Sequence, residues 1–526
     1  MHKDLVRFCL EKGFLLDEEV LKMLSESGDL ESAKLILEKI KGLTQKKIIT
    51  REIFEDKEKA RDVFYALPEK NQKQLERLKI KLGLEIEISK EIVSENLVSE
   101  NQKIPENPKV KIFSMPPNLG KKLEVGDFTE YFKDRFNKIR NFLQESAQLN
   151  NLVSIGKLYG KRQGFSIIGI IRNKRVTKNK NLLFEIEDLT GKIKVVVNSN
   201  KKEIYEKAED ICLDSVIGFK GSGSSEIVFA NDIIFPDVSL AERKKSNLEE
   251  YALFIGDLHY GSKFFLKESF LKFLDYLNGK VPNTPEVEKI KYLFIVGDVV
   301  TGIGNYPNQE RDLEIFDLEE QFLGLANLFK KIRKDISIII SPGNHDGVRL
   351  MEPQPPFDEK YAWPLYELDN VILTTNPAYA KIGFNENFSG FDVLTYHGFS
   401  FPYYANNISK LIVKKAMNFP DLIMKYLLKN RHLAPSYTSN QFFPTKEDFL
   451  VISKVPDIFV AAHTHKSAVS YHNNILLIST SCWEGLTPYQ EKFGNNPDHC
   501  KVPMLNLKTR EVKILDFEEE EKNANK

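Results

Sequence analysis

The stretch Asp457–Ser467, DIFVAAHTHKS, leads an apolar run into two histidines, His463 and His465, in a chain that has only nine. Four other apolar runs end in the same kind of residue. YALFIGDLH sets Asp257 and His259 after the first, YLFIVGD sets Asp298 after the second, and DISIIISPGNHD sets Asn344, His345 and Asp346 after the third. DVLTYHG sets His397 after the fourth. Carboxylate, amide oxygen and imidazole are donors that hard and borderline divalent ions accept, and a shared carboxylate lets two ions sit about 3.5–4 Å apart. A single aspartate at a strand end is ordinarily a turn residue, and a single histidine is ordinarily surface or core. Five such endings in one chain point instead to a divalent-metal centre. Its chemistry would be hydrolysis: two dications acidify water, neutralise the charge that builds on a phosphoryl group and hold an ester for in-line attack. An imidazole beside the leaving oxygen adds general-acid help.

The elements that must position these residues are short strands alternating with helical stretches, expected over 248–516 and followed by a solvated acidic tail at 517–526. In layered arrangements of this kind polar side chains gather beyond the carboxyl ends of the strands. Upstream the period changes. FSIIGIIRNKRVTKNKNLLFEIEDLTGKIKVVVNS reads as strand, basic loop, strand, turn and strand, and Val216–Phe219 and Ile227–Phe229 extend the series. Several short strands with a glycine inside the first predict a small curled barrel of OB type. A leading helix precedes it, with Phe128, Phe132, Phe136, Ile139 and Leu143 at helical spacing, Asp127 as N-cap and Glu130 as its third-residue partner. Helix and barrel together occupy 125–240. The loop gathers Arg172, Lys174, Arg175, Lys178 and Lys180. Such a loop either binds single-stranded nucleic acid or is a solvated hairpin tip.

Residues 1–80 read as short helices of a small N-terminal docking or packing domain. DLESAKLILEKIKG puts Leu30, Ala33, Leu37 and Ile40 on one face behind Asp29 as N-cap, and EKARDVFYALPEK forms another face that stops at Pro68. The polar, proline-studded stretch 81–124 reads as a flexible linker. At 526 residues the chain is too long for one core, so about three domains are expected. Its 75 basic and 75 acidic side chains cancel, so any nucleic-acid footprint must be local. Four scattered cysteines without a CxxC pair exclude a zinc ribbon and argue for a reducing compartment. The first residues lack a signal-peptide core, and no apolar run approaches the ~18 residues of a membrane span. A cytoplasmic protein without membrane contact is expected.

The series D-x-H, G-D, G-N-H-D, H and H-x-H resembles the calcineurin-like metallophosphoesterases over roughly 250–515. The resemblance implies a β-sandwich flanked by helices, hence a multidomain α+β protein, and a site for two divalent ions, Mn²⁺ or similar. It implies that Asp257, His259 and His465 hold one ion, that Asn344, His397 and His463 hold the other, and that Asp298 bridges them. His345 would then face the scissile phosphate, with Asp346 orienting it. The flanking residues, in GDVVTGIGNYPNQE, PGNHDGVRLMEPQP and RHLAPSY, resemble the small subunits of archaeal family D DNA polymerases from about 125 to 515. That family implies a 3′→5′ exonuclease acting on single-stranded DNA or primer 3′ ends, in a heterodimer with a large subunit that carries the polymerase site. No carboxylate pair for polymerisation stands out in this chain.

Two other readings compete: a scaffold that only binds the large subunit, as in eukaryotic relatives without the ligands, and a stand-alone metallophosphatase. The filled ligand positions weigh against the first, and the barrel with its basic loop weighs against the second. One departure concerns Ala462, where the family has glycine before H-x-H. Glycine would permit close backbone approach, so alanine is expected to shift both ligands slightly. His432 is expected to be structural, Cys482 a packed thiol and Trp483 an aromatic wall, while His472 and His499 lack ligand spacing.

Overall fold

The computed structural model describes residues 2–17, 20–21, 24, 30–43, 48–49, 110–114, 120, 122–492, 494 and 496–518. The chain divides into two units, Met1–Glu100 and Asn101–Lys526. In the first, α1 (His2–Glu11), β1 (Leu15–Leu16), α2 (Leu30–Leu43) and β2 (Ile48–Ile49) are described, and the two short strands pair in parallel. Ala33, Leu37 and Ile40 are buried with Leu5, Cys9 and Phe14, and Leu30 packs against them, so the expected helical face is the core face. Asp29, the stretch ending at Pro68, most of the expected linker and the tail beyond 518 lie outside the described residues.

The second unit opens with a correction to the linker. Lys111–Ser114 is a strand, β3, paired antiparallel to the later strand Ala378–Ile382. Helix α3 (Val125–Gln144) follows, and it begins earlier than its sequence pattern suggests. The Glu124 N–H donates to Asp127 Oδ2 at 2.9 Å, so Glu124 is the N-cap and Asp127 the third-residue partner. Its buried face is Tyr131, Arg135, Phe136, Ile139 and Leu143, while Phe128 and Phe132 are half-buried.

Next come β4 (Arg162–Val176), β5 (Leu182–Asp188), β6 (Gly191–Val197), α4 (Lys202–Glu209), β7 (Val216–Gly223) and β8 (Ile227–Ile234). The strands close a barrel in the order β4-β5-β6-β8-β7. Alternate residues fill it, among them Ile167, Phe184, Ile186, Val195, Phe219 and Val228. The outer side chains Ile168, Ile170, Val216 and Ile234 pack on Phe136, Ile139 and Leu143 of α3. β4 runs through Arg175 to Val176, so Arg172, Lys174 and Arg175 are strand residues and only a short turn remains of the expected loop.

The rest of the chain runs β9 (Tyr251–Ile255), α5 (Lys267–Leu277), β10 (Ile290–Val296), α6 (Leu318–Phe329), β11 (Ser337–Ser341), α7 (Glu359–Tyr366), β12 (Val371–Leu373) and β13 (Ala378–Ile382). It continues with β14 (Phe391–Tyr396), α8 (Phe401–Asn407), α9 (Ser409–Val413), α10 (Pro420–Asn430), β15 (Ile458–Ala461), β16 (Ala468–His472), β17 (Ile475–Ser479), β18 (Lys501–Asn506) and β19 (Val512–Asp516). One sheet has the order β12-β11-β10-β9-β18-β19, the other β16-β17-β15-β14-β13-β3. Their inner faces meet in one core, where Ala252, Phe254, Phe294 and Ile339 face Val393, Ile458, Val460 and Ile478. The outer faces are covered by helices, Phe270, Phe273 and Phe322 over the first sheet and Tyr404, Ile423 and Leu427 over the second. β9 shows the logic: Ala252 and Phe254 point inward while Leu253 and Ile255 point to the helices, so every residue of a strand covered on both sides is apolar. The five strands singled out by their endings are β9, β10, β11, β14 and β15. The first three are mutually parallel neighbours in one sheet, and the last two are parallel neighbours in the other.

Candidate metal centre

Because these five strands are parallel within each sheet, their carboxyl ends open on a common edge. The residues beyond them turn sharply. Asp257, His259, Asp298, His463 and His465 have φ of 49°, 48°, 49°, 69° and 55°. Left-handed backbone at non-glycine residues costs about 1–3 kcal/mol each and gathers where function over-determines the geometry. Backbone bonds lock these turns together: Asp257 N–H to Gly297 O at 3.0 Å and His259 N–H to Asp298 O at 2.9 Å. Carboxylates add two more, His463 N–H to Asp257 Oδ2 at 2.9 Å and His345 N–H to Asp298 Oδ1 at 2.8 Å. Two glycines are steric necessities here. A Cβ on Gly297, whose φ is +74°, would run into the His397 ring, and one on Gly343 into the Asp298 carboxylate.

The ligand atoms fall into two groups around Asp298. Asp257, His259 and His465 form one: His259 Nε2 is 3.2 Å from His465 Nε2, which is 3.8 Å from Asp257 Oδ1. His397 Nε2 centres the other, 3.0 Å from Asn344 Oδ1 and 3.2 Å from His463 Nδ1. Asp298 Oδ2 lies 3.2 Å from His397 Nε2 and 4.0 Å from His259 Nε2, reaching toward both groups. All seven candidate ligand residues are therefore brought together. The set suits divalent ions: a buried oxygen, Asp257 Oδ1, has no hydrogen-bond partner, a lack that a cation would relieve. Burial also holds His259 well below the ordinary histidine range and pushes His463 down to about 3 and His465 to about 4, keeping these imidazoles neutral as ligands must be. Asp298 resists its burial because His397 and His345 stabilise its charge, and His397 is raised in return by Asp298.

His345 stands half-buried at the cleft wall, its ring edge-to-face with His259 at 4.8 Å between centroids. The orienting role expected of Asp346 falls to a carbonyl. His345 Nδ1 lies 2.8 Å from Thr301 O, which can only accept, so Nδ1 carries hydrogen and Nε2 is left to the cleft. Thr301 O is itself fixed by Gln309 Nε2 at 2.9 Å and Asn305 Nδ2 at 3.0 Å, and buried Gln321 holds Gly302 N–H at 2.9 Å. Asp346 instead ties two ligand loops, accepting Val300 N–H at 3.0 Å and Gly343 N–H at 2.7 Å. On the other side, Asn376 Oδ1 accepts His397 N–H at 2.8 Å, and Tyr396 donates to buried Glu352, whose carboxyl burial pushes up to about 8. None of Thr301, Gln309, Gln321, Asn376 and Glu352 was singled out as functional from sequence. Thr301, Gln309 and Glu352 lie in the segments that carry the family resemblance, whereas Gln321, inside α6, and Asn376 stand outside them.

The Ala462 question has a structural answer. Its φ is not left-handed, its N–H donates to His397 O at 2.9 Å, and its methyl joins the inter-sheet core. The tight approach lies opposite, at Gly256, where a Cβ would sit 2.7 Å from Thr480 Oγ1 and 3.0 Å from Ala462 Cβ. Urea unfolding should therefore rank the two changes: Ala462→Gly costs about 0.5–1 kcal/mol for added backbone freedom, Gly256→Ala about 1–3 kcal/mol for overpacking. The opposite ranking would show that alanine is the strained residue.

The basic residues of the barrel lie elsewhere. Lys174 Nζ is spent on Glu209 O at 2.7 Å and Ile211 O at 2.9 Å, so it is a structural lysine rather than a nucleic-acid contact. Arg172 pairs with Glu187 at 3.4 Å, and Arg175, Lys178 and Lys180 are exposed. His432 is buried and structural as expected, Cys482 and Trp483 are packed, and His472 and His499 lean on Asp237 and Glu518. A cleft of about 410 Å³ opens over the centre, walled by His345, Tyr306, Met417, Asn418, Lys466 and Glu484.

The calcineurin-like phosphoesterase profile matches residues 252–467, and that family works with divalent metals. The DNA polymerase II small subunit of Pyrococcus furiosus is 39% identical over 423 residues, covering 78% of this chain and 67% of that protein. That of Methanothermobacter thermautotrophicus is 36% identical over 398 residues, covering 75% of this chain and 80% of the relative. The match spans 63% of the Pyrococcus abyssi relative, a little under two thirds of its length. Among solved structures, an archaeal phosphodiesterase aligns over 50% of this chain and 98% of its own at a TM-score of 0.26 and 12% identity, too slight a likeness to argue from. No helix among the described residues is long and apolar enough to cross a membrane. With a calcineurin-like phosphoesterase match and relatives of this identity and coverage, the chain belongs to the family of DNA polymerase II small subunits.

Proposed function

We propose that this chain is the nuclease subunit of a heterodimeric DNA polymerase, a metal-dependent 3′→5′ exonuclease that trims single-stranded or mispaired primer ends beside a large subunit carrying the polymerase site. The observation that carries the reading is the convergence of six candidate ligand side chains about Asp298, with His345 at the open side of the cleft. A subunit kept only as a scaffold has no need of five left-handed turns in its ligand loops. The names of its relatives support the polymerase partner, and the five-stranded barrel, which we read as an OB fold, supports a DNA substrate.

Two divalent ions, Mn²⁺ or similar, held by Asp257, His259 and His465 and by Asn344, His397 and His463 with Asp298 in common, would supply Lewis acidity toward phosphoryl oxygens and acidify water. The chain's own residues do the rest. Asp346 and the Gly343 and Val300 amides fix the ligand loops to one another. His345, steadied through Nδ1 by Thr301 O, presents Nε2 to the phosphate. As the water oxygen bonds to phosphorus it releases a proton to solvent; the P–O3′ bond breaks, and His345, acting as the imidazolium, passes its Nε2 proton to the departing 3′ oxygen, leaving a nucleoside 5′-monophosphate and a strand shortened by one unit.

The test is 5′-labelled single-stranded DNA with and without Mn²⁺, wild type beside Asp298→Asn. Wild type should give a ladder shortening from the 3′ end, slowed about 10²–10³-fold in the variant, the range for losing one group that stabilises transition-state charge. Absence of metal-dependent cleavage, even with the large subunit present, would sink the reading. Hydrolysis of small esters with DNA left intact would favour a stand-alone phosphatase.

A further inference from the structure

Among the described residues lining the cleft Lys466 is the one lysine or arginine, and Asp498 holds it at 3.1 Å, so none of them offers a free ammonium or guanidinium to the phosphates upstream of the reacting one. The chain just outside it does. Met417 and Asn418 line the cleft, and the turn around them carries Lys414, Lys415 and Phe419, all exposed. Neither lysine has an ion pair or a side-chain hydrogen bond among the described residues. Phe419 is 54% exposed and Val413 is 82% exposed, beside Ile412 at 50%. Lys415 itself has φ 50°, and the turn is pinned by Asn418 N–H to Lys415 O at 2.9 Å and Phe419 N–H to Ala416 O at 3.0 Å.

This segment is also where the phosphoesterase half meets the barrel. Lys410 Nζ reaches Glu206 O at 3.0 Å and Asp210 Oδ2 at 3.2 Å, Lys429 reaches Asp210 at 3.0 Å, and Tyr426 OH donates to Asp210 O at 2.9 Å. Helix α4, which receives Lys410, holds the barrel's basic turn through Tyr205 OH to Lys180 O at 3.0 Å. These contacts link the Lys178–Lys180 turn, through α4 and along Lys410–Phe419, to the cleft wall at Met417 and Asn418. A surface of free lysines with an exposed aromatic among them suits a chain of phosphates with unpaired bases, because every base has a face to stack. A protein partner would suit these lysines only where it brought carboxylates to them, which phosphates supply at every nucleotide.

We propose that residues 410–419 form the path by which a single strand passes from the barrel to the cleft, with Lys414 and Lys415 on its phosphates and Phe419 stacked on one base. The proposal rests on the nuclease reading. Its test uses the full chain with Mn²⁺ and three substrates: a dinucleotide, a twenty-nucleotide strand and bis-p-nitrophenyl phosphate. Lys414→Ala/Lys415→Ala should raise KM for the long strand about tenfold at unchanged kcat, and flatten the salt dependence of log KM by about 1.4, the share of two phosphate contacts to a single strand. Phe419→Ala should raise KM about fivefold or more, as the loss of one stacked base does. On the dinucleotide, too short to reach the path, KM should change less than twofold. Equal KM on the long strand for variants and wild type overturns the path alone. Equal KM together with lost binding of the large subunit reassigns the surface to that protein. A wild type that hydrolyses the small ester but no DNA overturns both readings.

Discussion

His345→Ala should slow hydrolysis of DNA by about 10²–10⁴-fold, yet leave a p-nitrophenyl phosphodiester nearly untouched. The asymmetry follows from the leaving group. A 3′ alkoxide is a poor leaving group and gains from a proton delivered as the bond breaks, whereas p-nitrophenolate departs without one. The geometry commits His345 to that task. Its Nδ1 is occupied by Thr301 O at 2.8 Å, which leaves Nε2 as the nitrogen available to the cleft that His345 lines. It is bonded through its backbone to Asp298 Oδ1, so its position is set by the same residue that links the two ligand groups. The measurement is kcat/KM for both substrates at one Mn²⁺ concentration. Equal losses on both would remove the general-acid role and leave His345 as a group that only stabilises charge. Thr301 offers its main chain, so no side-chain change tests it directly; Gln309, which holds that carbonyl, is where a milder version of the same asymmetry should appear.

How much of this was legible beforehand divides along a physical line. Asp257, His259, Asp298, Asn344, His397, His463 and His465 could be read because each lies just past the end of one of five apolar strands. Strand, tight turn and donor are all local in sequence, and parallel pairing brings the ends to one edge. The barrel was readable for the same reason, since a two-residue period survives in β4 to β8. What was not legible is whatever depends on distant chain. Lys174 looks like a loop cation until β4 is seen to continue and α4 to offer two carbonyls. β3 sits in a polar, proline-rich stretch and becomes a strand by adding to the edge of a sheet. Gln309 and Gln321 are unremarkable as sequence, and their value lies in the backbone groups they satisfy. Asp346 shows the limit of motif reading: the right residue, bonded to two amides rather than to the histidine beside it. Ala462 shows the converse, a departure from pattern that the facing Gly256 makes tolerable.

The largest effect on stability should come from Asp448→Asn, at a site remote from the chemistry. Arg135 of α3 is fully buried, with Nε on Asp448 Oδ2 at 2.6 Å and Nη1 on Pro435 O at 2.6 Å. Its guanidinium lies near the rings of Phe132, Tyr131 and Phe442. His432 completes the cluster. Ala434 N–H donates to His432 Nδ1 at 2.9 Å, so Nε2 carries the hydrogen and donates to Asp448 Oδ2 at 2.9 Å. Among the described residues the aspartate is the one anion bonded to this buried guanidinium, with Asp214 acting on it without a bond, and amidation strips the charge of its paired partner, a loss of about 3–5 kcal/mol, where a neutral hydrogen bond would cost about 1. Because Arg135 belongs to α3 and Asp448 to the phosphoesterase half, the loss should show as undocking of the helix. Amide exchange in 125–144 should quicken by about two to three orders of magnitude, while β9 to β11 change little. Replacing Arg135 and Asp448 together by apolar residues should recover much of the loss, since no buried charge is then stranded. Acid should act on the same cluster. Burial and Arg135 push His432 down to about 4, and Arg135 and His432 hold Asp448 low against its burial, so in both cases the unfolded chain takes the proton first. The stability they give is complete above the ordinary histidine range. It declines by up to about 1.4 kcal/mol per pH unit as His432's share is lost between pH ~6.5 and ~4, and Asp448's share follows below pH ~4. In His432→Gln the first part of that decline should vanish. A variant with wild-type exchange rates in α3 would mean that the guanidinium finds other acceptors, and the ion pair would then be incidental to holding the helix.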